Sequence, residues 1–257
     1  MTAFPRVIPV LTISDGYLVK PVKFGRSKYI GDPINAVKIF NEKRVDELFI
    51  CDIDASVKGR PIDYGLIEEI ATEAFMPVGY GGGIAAVSEA ERIVGLGIEK
   101  VVLGSAMARR PDLVSEVSQS LGSSSTVVSV DFRKRLTGYD TVAVHGTTSL
   151  GIGPVDLARR AEALGAGEIL LSSVDRESTF SGYDVKQIAA VAAAVDIPVV
   201  ALGGARGMDD FREGLAAGAS GVAAGGAFVL NGKHRAVLIT YPSVAEVESL
   251  RAPADAR

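Results

Sequence analysis

Asp131 sits at the end of a β-branched run, Thr126–Phe132 (TVVSVDF), and Thr12 sits at the same place in a second run, Val7–Ile13 (VIPVLTI). A carboxylate at a strand end can give and take protons once its surroundings bring its proton affinity near neutrality. Two such carboxylates facing each other would form an acid–base pair. A threonine hydroxyl can hydrogen-bond, but it is far too weak an acid to share that work. The alignment therefore predicts Asp131 as a catalytic group and Thr12 as its altered counterpart. The plainer alternative is an aspartate that only caps the next element.

Glycines at four other run ends suggest a second kind of chemistry. Gly81-Gly82-Gly83, Gly104-Ser105, Gly203-Gly204 and Gly225-Gly226 each follow an apolar run. Without a Cβ the backbone can approach a ligand closely and present its N–H groups to an anion. Gly83, Gly104, Ser105, Gly204, Gly225 and Gly226 are thus candidate phosphate-binding residues, and their paired placement suits a ligand with a phosphate at each end. The same glycines would also satisfy tight turns alone. His145 and His234 lack metal-ligand spacing, and Cys51 lies in an apolar run as a buried thiol would. No metal and no cofactor are expected.

Something must bring these run ends together. Strands are predicted at Val7–Ile13, Glu47–Asp54, Pro77–Gly83, Lys100–Ser105, Thr126–Phe132, Glu168–Asp175, Pro198–Gly204 and Gly221–Phe228. Between them lie amphipathic stretches such as Pro33–Arg44, Ile62–Glu73, Val87–Leu96 and Asp184–Ala194. Eight strand–helix units in 257 residues fit an α/β TIM (β/α)8 barrel, with an open doubly wound sheet as the alternative. A repeat sharpens the choice. Glu47 and Glu168, Asp54 and Asp175, Pro77 and Pro198, and Gly104 and Gly225 are each 121 positions apart. The spacing predicts two homologous half-barrels, about 5–122 and 123–235, in a single domain, with a loose tail at 251–257. Lys20–Asp32 is predicted as a long loop and Lys134–Gly153 as a hairpin, both on the face where barrel active sites lie. Tyr17, Tyr29 and Tyr80 are placed near that mouth as possible sugar contacts.

The balance of 27 basic and 31 acidic side chains gives a net charge of −4, which supports neither a nucleic-acid nor an anionic-membrane partner. A single cysteine fits a reducing compartment, and no signal peptide or membrane span is visible. A cytoplasmic protein is expected.

The motifs IPVLTISDGYLVK, DELFICDIDAS, GGGI, VVSVDF, GAGEILLSSVDRESTFSGYD and PVVALGGA resemble the HisF family, the cyclase subunit of imidazole glycerol phosphate synthase, over about residues 5–230. The resemblance implies a barrel that receives ammonia from a HisH-type glutaminase. There the ammonia attacks a doubly phosphorylated ribonucleotide intermediate, PRFAR, to give imidazole glycerol phosphate and AICAR, an aminoimidazole carboxamide ribotide. By position, Asp131 matches one family catalytic aspartate, Lys20 matches a loop lysine near substrate, and the second aspartate falls on Thr12. Gly104, Glu177-Ser178 and Gly225-Gly226 depart from the family pattern in the same mouth. Arg6, Glu47, Lys100 and Glu168, each leading a predicted strand, match the family's ring of charges that gates ammonia. Strand-leading charges can also simply face water.

The departures, with YIGDPINAVKIFNEKRVDEL, VGYGGGI and GKHRAVLITYPS, resemble a HisF-like branch, the glycosyl amidation-associated protein WbuZ. That likeness implies a subunit passing ammonia toward amidation of a sugar in surface-glycan synthesis, with a separate amidotransferase completing the reaction. The alternatives are a true cyclase using Asp131 alone or with help from Ser14 or Asp15, and a non-enzymatic barrel that only conducts ammonia and activates its partner.

Overall fold

The computed structural model describes residues 4–251. Its eight central strands are β1 (Arg6–Ser14), β2 (Leu48–Asp52), β3 (Val78–Gly81), β4 (Lys100–Leu103), β5 (Thr126–Lys134), β6 (Glu168–Ser173), β7 (Val199–Leu202) and β8 (Gly221–Ala224). Each pairs in parallel with its neighbours, and β8 returns to β1, so the sheet closes. The fold is a TIM barrel, and the open-sheet alternative is excluded. Several strands stop short of their predicted ends, at Asp52, Gly81 and Ala224 among others. The glycine-rich residues beyond them form the loops and short helices of the mouth.

Helices Pro33–Glu42, Tyr64–Glu73, Val87–Gly95, Asp112–Leu121, Pro154–Ala163, Val185–Ala192 and Met208–Ala216 wrap the barrel. Each lays an apolar stripe on the sheet, as Ala36, Val37 and Phe40 do in the first. Aspartates start three of them. Asp32, Asp63 and Asp184 accept hydrogen bonds from the backbone N–H of Asn35, Leu66 and Gln187, a cap worth about 1 kcal/mol each. Among the described residues no helix is long and apolar enough to cross a membrane.

Strand alternation decides what faces inward. Val7 and Leu11 pack outward under the helices, while Ile8 and Val10 join Phe49, Val102, Val127, Leu170, Val200, Leu202 and Ala223 in the barrel's interior. Along β1 and β6 the inner face begins charged, turns apolar and ends polar. Arg6, Ile8, Val10 and Thr12 run this way in β1, and Glu168, Leu170 and Ser172 in β6.

Two strands run on past the barrel rim. β1 turns back into Tyr17–Pro21, which pairs with Ser27–Gly31, so the predicted loop is instead a twisted two-stranded ribbon. Pro21 and Gly31, which end the two strands, hid it from a sequence reading, because both types are uncommon in strands. β5 continues to Lys134 and folds back on Tyr139–Ala143 as the predicted hairpin. At the other end, Arg251 is not loose. It closes helix Val244–Arg251, donates to the Pro5 carbonyl and pairs with Asp46 at 2.6 Å. The remainder of the predicted tail lies outside the described residues.

Candidate active site

A cavity opens among the C-terminal ends of the strands. Thr12, Lys20, Cys51, Gly81–Gly83, Gly104, Ser105, Ser129, Asp131, Ser172 and Glu177 line its floor and walls. The loop residues Phe24 and His145 line it as well.

Asp131 faces this cavity because β5 turns Val127, Ser129 and Asp131 inward. Its Oδ1 accepts from the Ser129 hydroxyl at 2.8 Å. Burial pushes its proton affinity up to a pKa of about 6, against smaller opposing effects of the Ser129 and Ser172 hydroxyls. The nearby Glu177 carboxylate pushes the same way as burial. Ser172 sits directly across from Asp131 in the β5–β6 register. Its hydroxyl is buried, near enough to bias Asp131, yet it makes no well-formed hydrogen bond. A carboxyl that titrates near pH 6 can act as acid or base at physiological pH.

Thr12 and Asp131 do not share work. The Thr12 hydroxyl donates to the Val19 carbonyl, so it is spent on holding the ribbon against β1. Ser14 is likewise engaged, donating to Asp54 at 2.6 Å. Asp15 lies out on the rim, paired with Lys58 and Arg60. Neither of these two residues lines the cavity.

Lys20 is buried on the ribbon's inner side, its Nζ 2.5 Å from Glu177 Oε1. The ammonium fills the space above Gly225, where a Cβ would lie only 1.8 Å from it. Gly226 is covered by Ser178 and Phe180, and Gly204 by Gly182, whose N–H donates to the Gly204 carbonyl. The predicted phosphate residues therefore separate into two groups. Gly83, Gly104 and Ser105 line the cavity, whereas Gly204, Gly225 and Gly226 lie beneath the segment Arg176–Gly182 and the Lys20 side chain. Within that segment Ser178 takes a φ of 57°, a left-handed conformation that costs a residue with a Cβ about 1–2 kcal/mol.

At the opposite end of the barrel, Arg6, Glu47, Lys100 and Glu168 do meet. Arg6 bonds to both glutamates, at 2.6 Å to Glu168. Lys100 approaches Glu47 at 2.7 Å and Glu168 at 3.2 Å. The signs alternate around a closed ring, and both glutamates are buried, so each carboxylate has two cations to offset its desolvation. Phe49 lies just inside, under the Lys100 ammonium. Gly79 makes room for that ring, since a Cβ there would fall 2.3 Å from it. Between the charged ring and the cavity the interior is apolar.

Some site residues carried no local signal. Phe24, at the ribbon's tip, stacks flat on His145 of the β5 extension, with centroids 4.9 Å apart. The two loops come from opposite sides of the mouth, and the Lys23 N–H also donates to the Glu177 carbonyl. Lys23, Phe24, Val144 and His145 all have positive φ, so both tips are tight bends that only the three-dimensional contact explains. Ser129 could have been found by its position two residues before Asp131. Tyr80 is a correction: it points outward from β3 into the layer under the helices, not into the mouth. Tyr17 and Tyr29 pack edge to face on the exposed ribbon, 5.8 Å apart. Cys51 lines the cavity floor, its thiol pushed up to about 12 by burial and by Asp131.

Comparison with known proteins agrees with this arrangement. Residues 6–235 match the histidine biosynthesis protein family. A protein of Leptospira interrogans, given only provisionally as imidazole glycerol phosphate synthase subunit HisF, is 44% identical over 96% of this chain and 98% of its own. A Pseudomonas aeruginosa protein, assigned to the same subunit with the same reserve, is 45% identical over 95% of this chain and 98% of its own. The imidazole glycerol phosphate synthase subunit HisF of Streptomyces avermitilis is 39% identical over 89% of this chain and 91% of its own. With that coverage, and with the barrel and mouth described above, the chain belongs to the HisF family of histidine biosynthesis proteins.

Proposed function

We propose that this protein is the ammonia-accepting synthase subunit of a glutamine-dependent complex of the imidazole glycerol phosphate synthase type, and that it serves amidation of a sugar in surface-glycan synthesis rather than ring closure. In this reading a HisH-type glutaminase docks on the face bearing Arg6, Glu47, Lys100 and Glu168, and the ring opens to admit ammonia. The apolar interior passes the neutral molecule and disfavours ammonium, whose charge would lose its hydration there. Gly83, Gly104 and Ser105 hold a phosphate of a phosphorylated small molecule or sugar at the mouth. Asp131, its proton affinity raised toward neutrality by burial, takes a proton from ammonium at the mouth and so keeps the nitrogen as neutral ammonia, and a separate amidotransferase forms the C–N bond. Lys20, held by Glu177, shapes the opposite wall.

The observation that carries this reading is the contrast between the two ends. The charged ring is complete, while the residue opposite Asp131 is a threonine whose hydroxyl is already committed to Val19. Of the two facing strand-end positions only Asp131 carries a carboxylate, while the other carboxylates lining the cavity, Asp52 and Glu177, are engaged with the Asp54 and Ala55 N–H groups and with Lys20. The test is to mix the purified barrel with a HisH-type glutaminase and follow glutamine hydrolysis. We expect a stable complex and at least a tenfold acceleration. A barrel that does not bind the glutaminase and leaves glutamine hydrolysis unchanged would refute the proposal.

The second reading is a genuine cyclase of histidine biosynthesis, converting PRFAR and ammonia to imidazole glycerol phosphate and AICAR. The position of Asp131 and its raised proton affinity favour it. It would require segment 176–182 to withdraw, so that Gly204, Gly225 and Gly226 could take the substrate's second phosphate.

A further inference from the structure

The two sides of the mouth differ in charge as well as in access. On one side Gly83, Gly104 and Ser105 line the cavity; the Gly83 N–H donates to the Ser56 hydroxyl at 3.3 Å, whereas the nearest atom to a Cβ built on Gly104 is 3.6 Å away, ordinary contact. On the other side the equivalent backbone is already occupied. The Lys20 ammonium fills the space over Gly225, and Arg176–Gly182 covers Gly204 and Gly226. Lys20 is not available to an incoming anion, because Glu177 neutralises it at 2.5 Å and both side chains are almost fully buried, 3% and 5% exposed.

From this we infer that the cavity takes a ligand with a single phosphate, and that the Glu177 carboxylate occupies, as a built-in counter-ion to Lys20, the place a second phosphate would need. A carboxylate and a phosphate cannot share one ammonium in a buried setting without strong like-charge repulsion. The unpartnered Ser172 hydroxyl, buried in the cavity wall beside Asp131, offers a hydrogen bond to the neutral, hydroxyl-bearing part of such a ligand. Specificity would thus be set partly by repulsion, which denies a doubly phosphorylated competitor the gain that a second cationic contact would bring. The inference rests on the reading of Gly83, Gly104 and Ser105 as a phosphate site.

Calorimetric titration of the purified protein with D-ribulose 5-phosphate and with D-ribulose 1,5-bisphosphate tests it, since the two probes share one carbon skeleton. We expect the monophosphate to bind, with the bisphosphate no more than threefold tighter. Ser105→Asp should weaken the monophosphate at least tenfold. Glu177→Gln, confirmed folded by circular dichroism, should shift the preference at least tenfold toward the bisphosphate by freeing the Lys20 charge. A wild-type protein that prefers the bisphosphate by tenfold or more overturns the inference while leaving the phosphate site intact. Binding of neither probe overturns the phosphate site itself, and the inference with it.

Discussion

At the scale of single residues the site is defined by one carboxyl held in a place that resists its charge. Asp131 is buried at the end of β5, and the Ser129 hydroxyl only partly offsets the loss of water. Because its pKa is raised in the folded state, the native protein binds more protons than the unfolded chain between about pH 4 and 6. Stability contributed by this group is therefore fully present below that window and is lost as pH rises through it. The shift from 3.8 to about 6 corresponds to about 3 kcal/mol at pH 7. Asp131→Asn should accordingly stabilise the protein at pH 7 by up to about 3 kcal/mol, vanish in effect near pH 4, and abolish proton transfer. Chemical denaturation at the two pH values checks it, and a difference that does not depend on pH would show that Asp131 is not strained by burial. Asp131 itself was legible in the sequence, as a lone carboxylate ending a β-branched run. Glu177 entered the mouth only through the family resemblance and Ser172 carried no signal, because their roles depend on partners far along the chain.

At the scale of elements, strand alternation explains why the inner faces were readable and the lids were not. The runs in β1, β5 and β6 place every second residue inward, so the apolar interior follows from spacing once a barrel is accepted, whereas the charged ring was implied by the family resemblance. The ribbon Tyr17–Gly31 follows no such pattern, and its place over the mouth depends on Phe24 meeting His145 and on Thr12 meeting Val19. Sequence reading likewise treated all four glycine pairs alike. What separates them is which distant segment lies on top, a matter of tertiary contact that glycine spacing does not encode. If Thr12 serves the ribbon, Thr12→Val, nearly the same shape without the hydroxyl, should cost about 1–2 kcal/mol. It should also speed amide exchange across Tyr17–Gly31 and proteolysis near Arg26. Unchanged exchange in that segment would show that the threonine is free for another role.

At the scale of the whole molecule, two ends of one closed barrel have been shaped for different tasks. The N-terminal end keeps four charges in register around an apolar interior, and the C-terminal end keeps one carboxyl, one open backbone cradle and one cradle filled by the protein's own lysine and glutamate. Positions 121 apart in the sequence differ in their surroundings, Gly104 lining the cavity and Gly225 lying under the Lys20 ammonium. The measurement that tests this account most directly is consumption of PRFAR by the purified protein under saturating ammonium salt without any glutaminase. No turnover by well-folded protein is expected, because position 12 carries no carboxylate and, in the function proposed above, Lys20 and Glu177 fill the place of the second phosphate. Clear ammonia-dependent turnover would contradict it and make the barrel a cyclase of histidine biosynthesis.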